Sequence, residues 1–210
     1  MNEIITQSKN QNKKLFPYEF EAKKELLFYP TKPDIFSVDV LEIGPGRGDS
    51  LLFLAQKDPT KKFVAVEIGK KRYFRLIPRL EKKEIKNVLL IRGDARVVLP
   101  QFFKEGTFEK IYVLFPDPWP KDRHAFRRLL TIEFLTLVAH HLREKGELII
   151  ATDVESYANT TLENLEQIQS LQEKKISDDS PLPLQTFFEQ KWRGQGKKIY
   201  TLVFVKKSSR

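Results

Sequence analysis

Five short apolar runs punctuate this chain, and segments with helical spacing fill the intervals between them. The runs are VDVLEI (38–43), FVAVEI (63–68), VLLIRGDA (88–95), IYVLFPDP (111–118) and ELIIATD (147–153). Their cores are apolar at consecutive positions, which suits strands covered on both faces. Between them lie SLLFLAQKD (50–58), KKRYFRLIPRLEKKEI (70–85, bent at Pro78), RVVLPQFF (96–103) and RRLLTIEFLTLVAHHLREKG (127–146, stopped by Gly146). Parallel neighbours cannot be joined by a tight turn, and a helix is the usual crossover. The pattern therefore predicts an α/β fold: a mostly parallel, Rossmann-like sheet with helices on both faces.

The ending differs. SYANTTLENLEQIQSL (156–171) reads as a helix, a further strand is expected near Leu171–Ile176, and IYTLVFV (199–205) closes the chain as a β-branched, aromatic strand. With these the sheet has seven strands, with an antiparallel one near its C-terminal edge. Residues 1–33 read as a polar arm followed by an irregular lead-in, with one short helix around Glu21–Phe28; residues 34–210 form the domain.

Composition excludes several classes. The chain has no cysteine, which removes disulfides and thiolate chemistry. Neither a bilayer-length apolar run nor the apolar core of a signal peptide is visible, so a cytoplasmic setting is expected. Net charge is +9. Lys121, Arg123, Arg127 and Arg128 crowd one stretch against Asp122, which points to a polyanionic partner.

The first run ends in LEIGPGRGDS (41–50), an E-x-G-x-G-x-G pattern built from Glu42, Gly44, Gly46 and Gly48. Glycines there permit close approach of a ligand to the backbone at a helix N-terminus. A dinucleotide fingerprint would place a third glycine where Asp49 stands, and Glu42 would repel a pyrophosphate. That argues against a nicotinamide-dependent oxidoreductase. Glu67 closes the second strand, where an acid accepts from ribose hydroxyls, and Asp94 closes the third, where an adenine is recognised. Three acids at three consecutive strand ends describe a nucleoside ligand with a cationic tail, S-adenosyl-L-methionine.

FPDPWPKDRHAFRRLL (115–130) follows the fourth strand. Pro116, Pro118 and Pro120 restrict the backbone around Asp117 and Trp119. With this block, EIGPGRG, Glu67, the GDA at 93–95, the TD at 152–153 and TFFEQKWRGQGKKIY (186–200), the chain resembles the bacterial tRNA (guanine-N7-)-methyltransferase family. The resemblance covers nearly all of residues 38–205. It implies a class I methyltransferase that moves a methyl group from S-adenosyl-L-methionine to N7 of a guanosine in the variable loop of tRNA. Glu42, Gly44, Gly46, Glu67, Asp94 and Asp117 would then line the donor site, with Asp117 also the catalytic residue. Lys121, Asp153, Thr186 and Glu189 match substrate-contacting positions. Arg123, Arg127 and Arg128 would meet the RNA backbone, and Trp119 would either stack on the flipped base or support the loop. Phe126 departs from the family, which often has lysine there.

Thr186 and Glu189 also have the spacing of a helix capping box. His140 and His141 fall inside a helix and read as structural. No set of histidines and acids has metal-ligand spacing, so no metal is expected. The alternatives are methylation of another RNA nucleobase position, or a non-catalytic RNA-binding module. The resemblance implies tRNA as the partner; no membrane partner is expected, and a monomer or homodimer is.

Overall fold

In the computed structural model, the structure describes residues 27–29, 38–120, 122–175 and 194–208. Lys121, Thr186, Glu189 and the arm and lead-in up to residue 26 lie outside the described residues. The elements run β1 (Leu27–Tyr29), β2 (Val40–Ile43), α1 (Asp49–Lys57), β3 (Phe63–Glu67), α2 (Lys70–Lys82) and β4 (Val88–Arg92). They continue with α3 (Ala95–Phe102), β5 (Phe108–Leu114), a 3-10 turn (Asp122–Arg127), α4 (Ile132–His141) and β6 (Leu142–Thr152). α5 (Glu155–Glu166), β7 (Leu171–Glu173) and β8 (Tyr200–Lys206) complete the described order.

One sheet of eight strands results, in the order β1-β4-β3-β2-β5-β6-β8-β7. The five central strands are parallel, and β1, β8 and β7 each run antiparallel to the neighbour they join. The alternating side chains of the central strands feed two cores. Leu41, Val64, Leu89, Ile111 and Ile150 pack under α3, α4 and α5. Val40, Ala65, Leu90, Tyr112 and Ile149 pack under α1 and α2. This is the expected two-faced sheet, buried throughout its middle because both faces carry helices.

Three local expectations need correction. The eighth strand comes from the lead-in: Leu27 and Phe28, expected in a helix, pair instead with Arg92 and Ile91. Phe28 meets Phe102 edge-on, ring centroids 5.3 Å apart, so tertiary contact overrides local propensity. The long helix expected over 127–146 begins only at Ile132, where the Thr131 side chain accepts from Phe134 N, and ends at His141. Arg127 and Arg128 are therefore not at a helix start. Gly146 does not stop a helix; it lies inside β6. A Cβ there would meet Arg143 O at 2.8 Å and the carbonyls of Phe108 and Glu109 at 3.1 Å, so glycine is required for close approach to β5.

Candidate active site

Strand order reverses at β2: β3 and β4 lie to one side, and β5 and β6 to the other. Crevices in open α/β sheets form at that point, beyond the carboxyl ends of the strands. The glycine loop leaves β2 and the proline-rich loop leaves β5, so the two strongest sequence motifs flank this crevice.

Glu42 is 3% exposed. Ser50 Oγ donates to its Oε1, and its Oε2 has no partner. Burial, outweighing the lowering effect of the Ser50 bond, pushes the carboxyl up to about 7, with Asp49 and Glu67 adding to the rise. A buried carboxylate oxygen without a partner is costly, and an approaching cation offsets that cost. Gly44 has φ +70°, and the place a Cβ would take is open space. Gly48 caps α1 with φ +77°, and a Cβ there would collide with Leu76 Cδ2. Asp49 sits in the first turn of α1, paired with Arg79 at 2.8 Å and Arg47 at 3.6 Å. Acids gathered at this helix start suit a cationic ligand and not a phosphate.

Glu67 is 1% exposed. Its Oε2 accepts from Gly46 N at 3.1 Å; its Oε1 accepts from Gly69 N at 2.6 Å and Arg72 Nε at 3.0 Å. The end of β3 thereby fixes the middle of the glycine loop. Asp94 caps α3, accepting from Arg96 N at 2.9 Å, and pairs with the Arg96 guanidinium at 2.6 Å. The structure thus brings Glu42, Gly44, Gly46, Glu67 and Asp94 to adjoining strand ends.

Asp117 stands exposed on the loop beyond β5. Phe115 and Trp119 bracket it with φ of +50° and +42°. The Arg127 guanidinium lies 4.9 Å from the centre of the Trp119 ring and 5.4 Å from that of Phe126, which is 74% exposed. Arg128 turns the other way and donates to the carbonyls of Pro118 and Trp119. Arg123 is exposed. Asp153 follows β6 on the same edge and accepts from Lys197 Nζ at 3.3 Å. His141 is buried with its Nδ1 on Leu137 O at 2.8 Å, a packing role. Among the described residues no cluster could hold a metal ion, and no helix is long and apolar enough to cross a membrane.

A family model described as "Putative methyltransferase" matches residues 37–202. A Nitrosomonas eutropha protein named tRNA (guanine-N(7)-)-methyltransferase is 38% identical over 170 residues, covering 80% of this chain and 75% of that protein. The chain belongs to the tRNA (guanine-N7-)-methyltransferase family. A Thermotoga maritima member is 35% identical over 164 residues, 78% of this chain, and the match spans about half (52%) of that longer protein. Among solved structures, the 16S rRNA methyltransferase KamB superposes with a TM-score of 0.61 at 16% identity, covering 82% of this chain and 89% of that one. A SAM-dependent methyltransferase from Aquifex aeolicus gives 0.57 at 14% identity, over 80% and 81% of the two chains. These likenesses to solved structures show the fold.

In this tRNA (guanine-N7-)-methyltransferase family member, sequence reading missed Ser50, Arg72 and Ile68, and it expected Arg128 on the RNA backbone where the structure turns it onto the loop's own carbonyls. Ser50 holds Glu42, Arg72 holds Glu67, Arg128 holds the proline-rich loop, and Ile68 leaves an apolar side chain 46% exposed beside Glu67. Ser50 and Ile68 carried a signal, since each adjoins a motif. Arg72 carried none, and the inward turn of Arg128 was illegible, because nothing local tells an inward arginine from a solvated one.

Proposed function

We propose that this protein transfers a methyl group from S-adenosyl-L-methionine to N7 of a guanosine in tRNA, in the variable loop. The observation that carries the reading is the crevice at the sheet's reversal. It is flanked by a buried, half-partnered Glu42 on one side and by Asp117 on its proline-rich loop on the other. The donor supplies an electrophilic methyl carbon on a sulfonium centre. Glu42 would answer its positive charge, Gly44 and Gly46 would let it approach the backbone, and Glu67 and Asp94 would accept from its ribose and adenine.

Guanine N7 carries a lone pair and no proton, so the attack needs no general base. It needs alignment, worth up to about 7–11 kcal/mol in favourable cases. As N7 forms its bond to carbon, positive charge spreads over the purine. Asp117 would stabilise that charge and accept from the guanine N1–H and amino edge. Lys121, Asp153, Thr186 and Glu189 would position the substrate. Arg123 and Arg127 would meet the RNA backbone, and the target guanosine must leave its stacked position to reach the crevice. The methyltransferase domain would comprise residues 34–210 together with β1 of the lead-in, which joins its sheet, and the protein would act in the cytoplasm as a monomer or homodimer.

The test is incubation with labelled donor and unmodified tRNA, followed by mass analysis of the nucleosides. 7-Methylguanosine is the expected product. Label in another nucleoside would refute the N7 assignment, and no incorporation would refute the activity.

A further inference from the structure

We propose that Arg128 is the positioning residue of the catalytic loop: its guanidinium clamps the carbonyls of Pro118 and Trp119 and so fixes where Asp117 and Trp119 point. The inference deepens the proposed function and rests on it for the role of Asp117. The contacts form a fork. Nε lies 3.2 Å from Pro118 O and 3.3 Å from Trp119 O, and the Nη2 group lies 3.2 Å from Trp119 O.

The loop needs holding. Trp119 adopts φ +42°, a left-handed conformation unfavourable for a bulky side chain. It also precedes Pro120, and a residue before proline prefers extended backbone. Left to itself, this segment relaxes and swings the Asp117 side chain. The prolines restrict their own φ angles, and Pro120 works against the left-handed conformation of Trp119 and does not hold it. Charge-assisted bonds from Arg128 to the two flanking carbonyls supply it.

The clamp has a rigid base. Two residues on, Leu130 N donates to the Tyr157 hydroxyl at 3.2 Å, and Asn164 Nδ2 donates to Leu130 O at 3.1 Å. Tyr157 and Asn164 both belong to α5, and Tyr157 and Leu130 are buried. The position of α5 is thus carried through Leu130 and Arg128 to the loop. Arg127 faces the aromatic rings instead, so two adjacent arginines serve different ends. Lysine cannot replace Arg128, because a point-like ammonium lacks the planar fork.

The experiment uses the full chain carrying Trp192→Phe, so that emission reports Trp119 alone, and compares Arg128→Ala and Arg128→Lys in that background. Four quantities are read: single-turnover methylation rate, donor affinity, salt dependence of tRNA binding, and quenching of Trp119 by acrylamide. The alanine variant should lose about 10²-fold in rate, the scale of a small misplacement at the reacting centre. Donor affinity should stay within about twofold and the salt slope should not change. Trp119 should become more quenchable, and millimolar guanidinium ion should restore part of the rate in Arg128→Ala but none in Asp117→Asn. A salt slope reduced by about 1 with the saturated rate intact would make Arg128 a phosphate contact and overturn the proposal. Unchanged rate and quenching would overturn it equally. Should Arg128→Ala fail to fold, Arg128→Lys decides by the same readouts. If the unsubstituted protein makes no 7-methylguanosine, the proposed function fails, and Trp119 quenching still judges the clamp.

Discussion

Replacing Glu42 by glutamine tests the electrostatics of the crevice without any ligand. Burial lifts the Glu42 carboxyl from 4.5 to about 7. Between those values the folded chain holds a proton that the unfolded chain has released. Stability from this group is therefore fully present below pH 4.5 and is lost as pH rises towards 7. At about 1.36 kcal/mol per pKa unit that rise in pKa amounts to about 3 kcal/mol. Glutamine keeps an oxygen to accept from Ser50 but cannot ionise. Its own cost, a buried amide without a full set of partners, is the same at every pH. His141, lowered chiefly by burial, favours the folded state less as pH falls below 6.5, but it does so in both proteins and cancels in the difference. Urea unfolding of both proteins at several pH values from 4.5 to 7.5 gives that difference. It should shift by about 3 kcal/mol in favour of glutamine across the range. A difference that stays constant would refute the account of Glu42 as a strained, ionisable group.

Asp117→Asn should lower the single-turnover rate far more than donor affinity, as rapid-quench and equilibrium binding measurements would show; equal losses would assign Asp117 to binding alone. Gly48→Ala forces an L side chain into φ +77° and against Leu76 Cδ2. It should cost about 2–4 kcal/mol in urea unfolding, the sum of a left-handed penalty and overpacking, and a loss near zero would contradict that geometry. Arg123→Ala combined with Arg127→Ala should reduce the log–log salt slope of tRNA binding by about 2, and an unchanged slope would remove both from the phosphate interface.

The parallel core was legible because its signal is local. VLEI, FVAVE and VLLIR are apolar but for Glu42, Glu67 and Arg92, and each runs into a glycine or an acid that marks the working edge. The same locality explains the failures. LTLVAHHLREKG keeps helical spacing past His141, yet Leu142 leaves the helix to pair with Phe108, and Gly146 closes on carbonyls of β5. LFY gave no strand signal of its own, because it becomes β1 only beside β4. At the site, the identity of the acids was readable but their engagements were not. Asp94 and Glu67 already hold arginines, and Glu42 is left half-satisfied by a serine eight residues on. Those pairings depend on how neighbouring turns of chain face each other.

Among the described residues, the two outermost strands, Leu27–Tyr29 and Leu171–Glu173, have three residues apiece. Each overlays a longer and greasier ribbon, VLLIR on one flank and YTLVFVK on the other. Stubby borders of this kind offer a stranger's backbone almost nothing to zip onto. Shaving the lead-in back past Tyr29 would bare the amide row of VLLIR, and the first casualty would be solubility, ahead of any chemistry in the crevice.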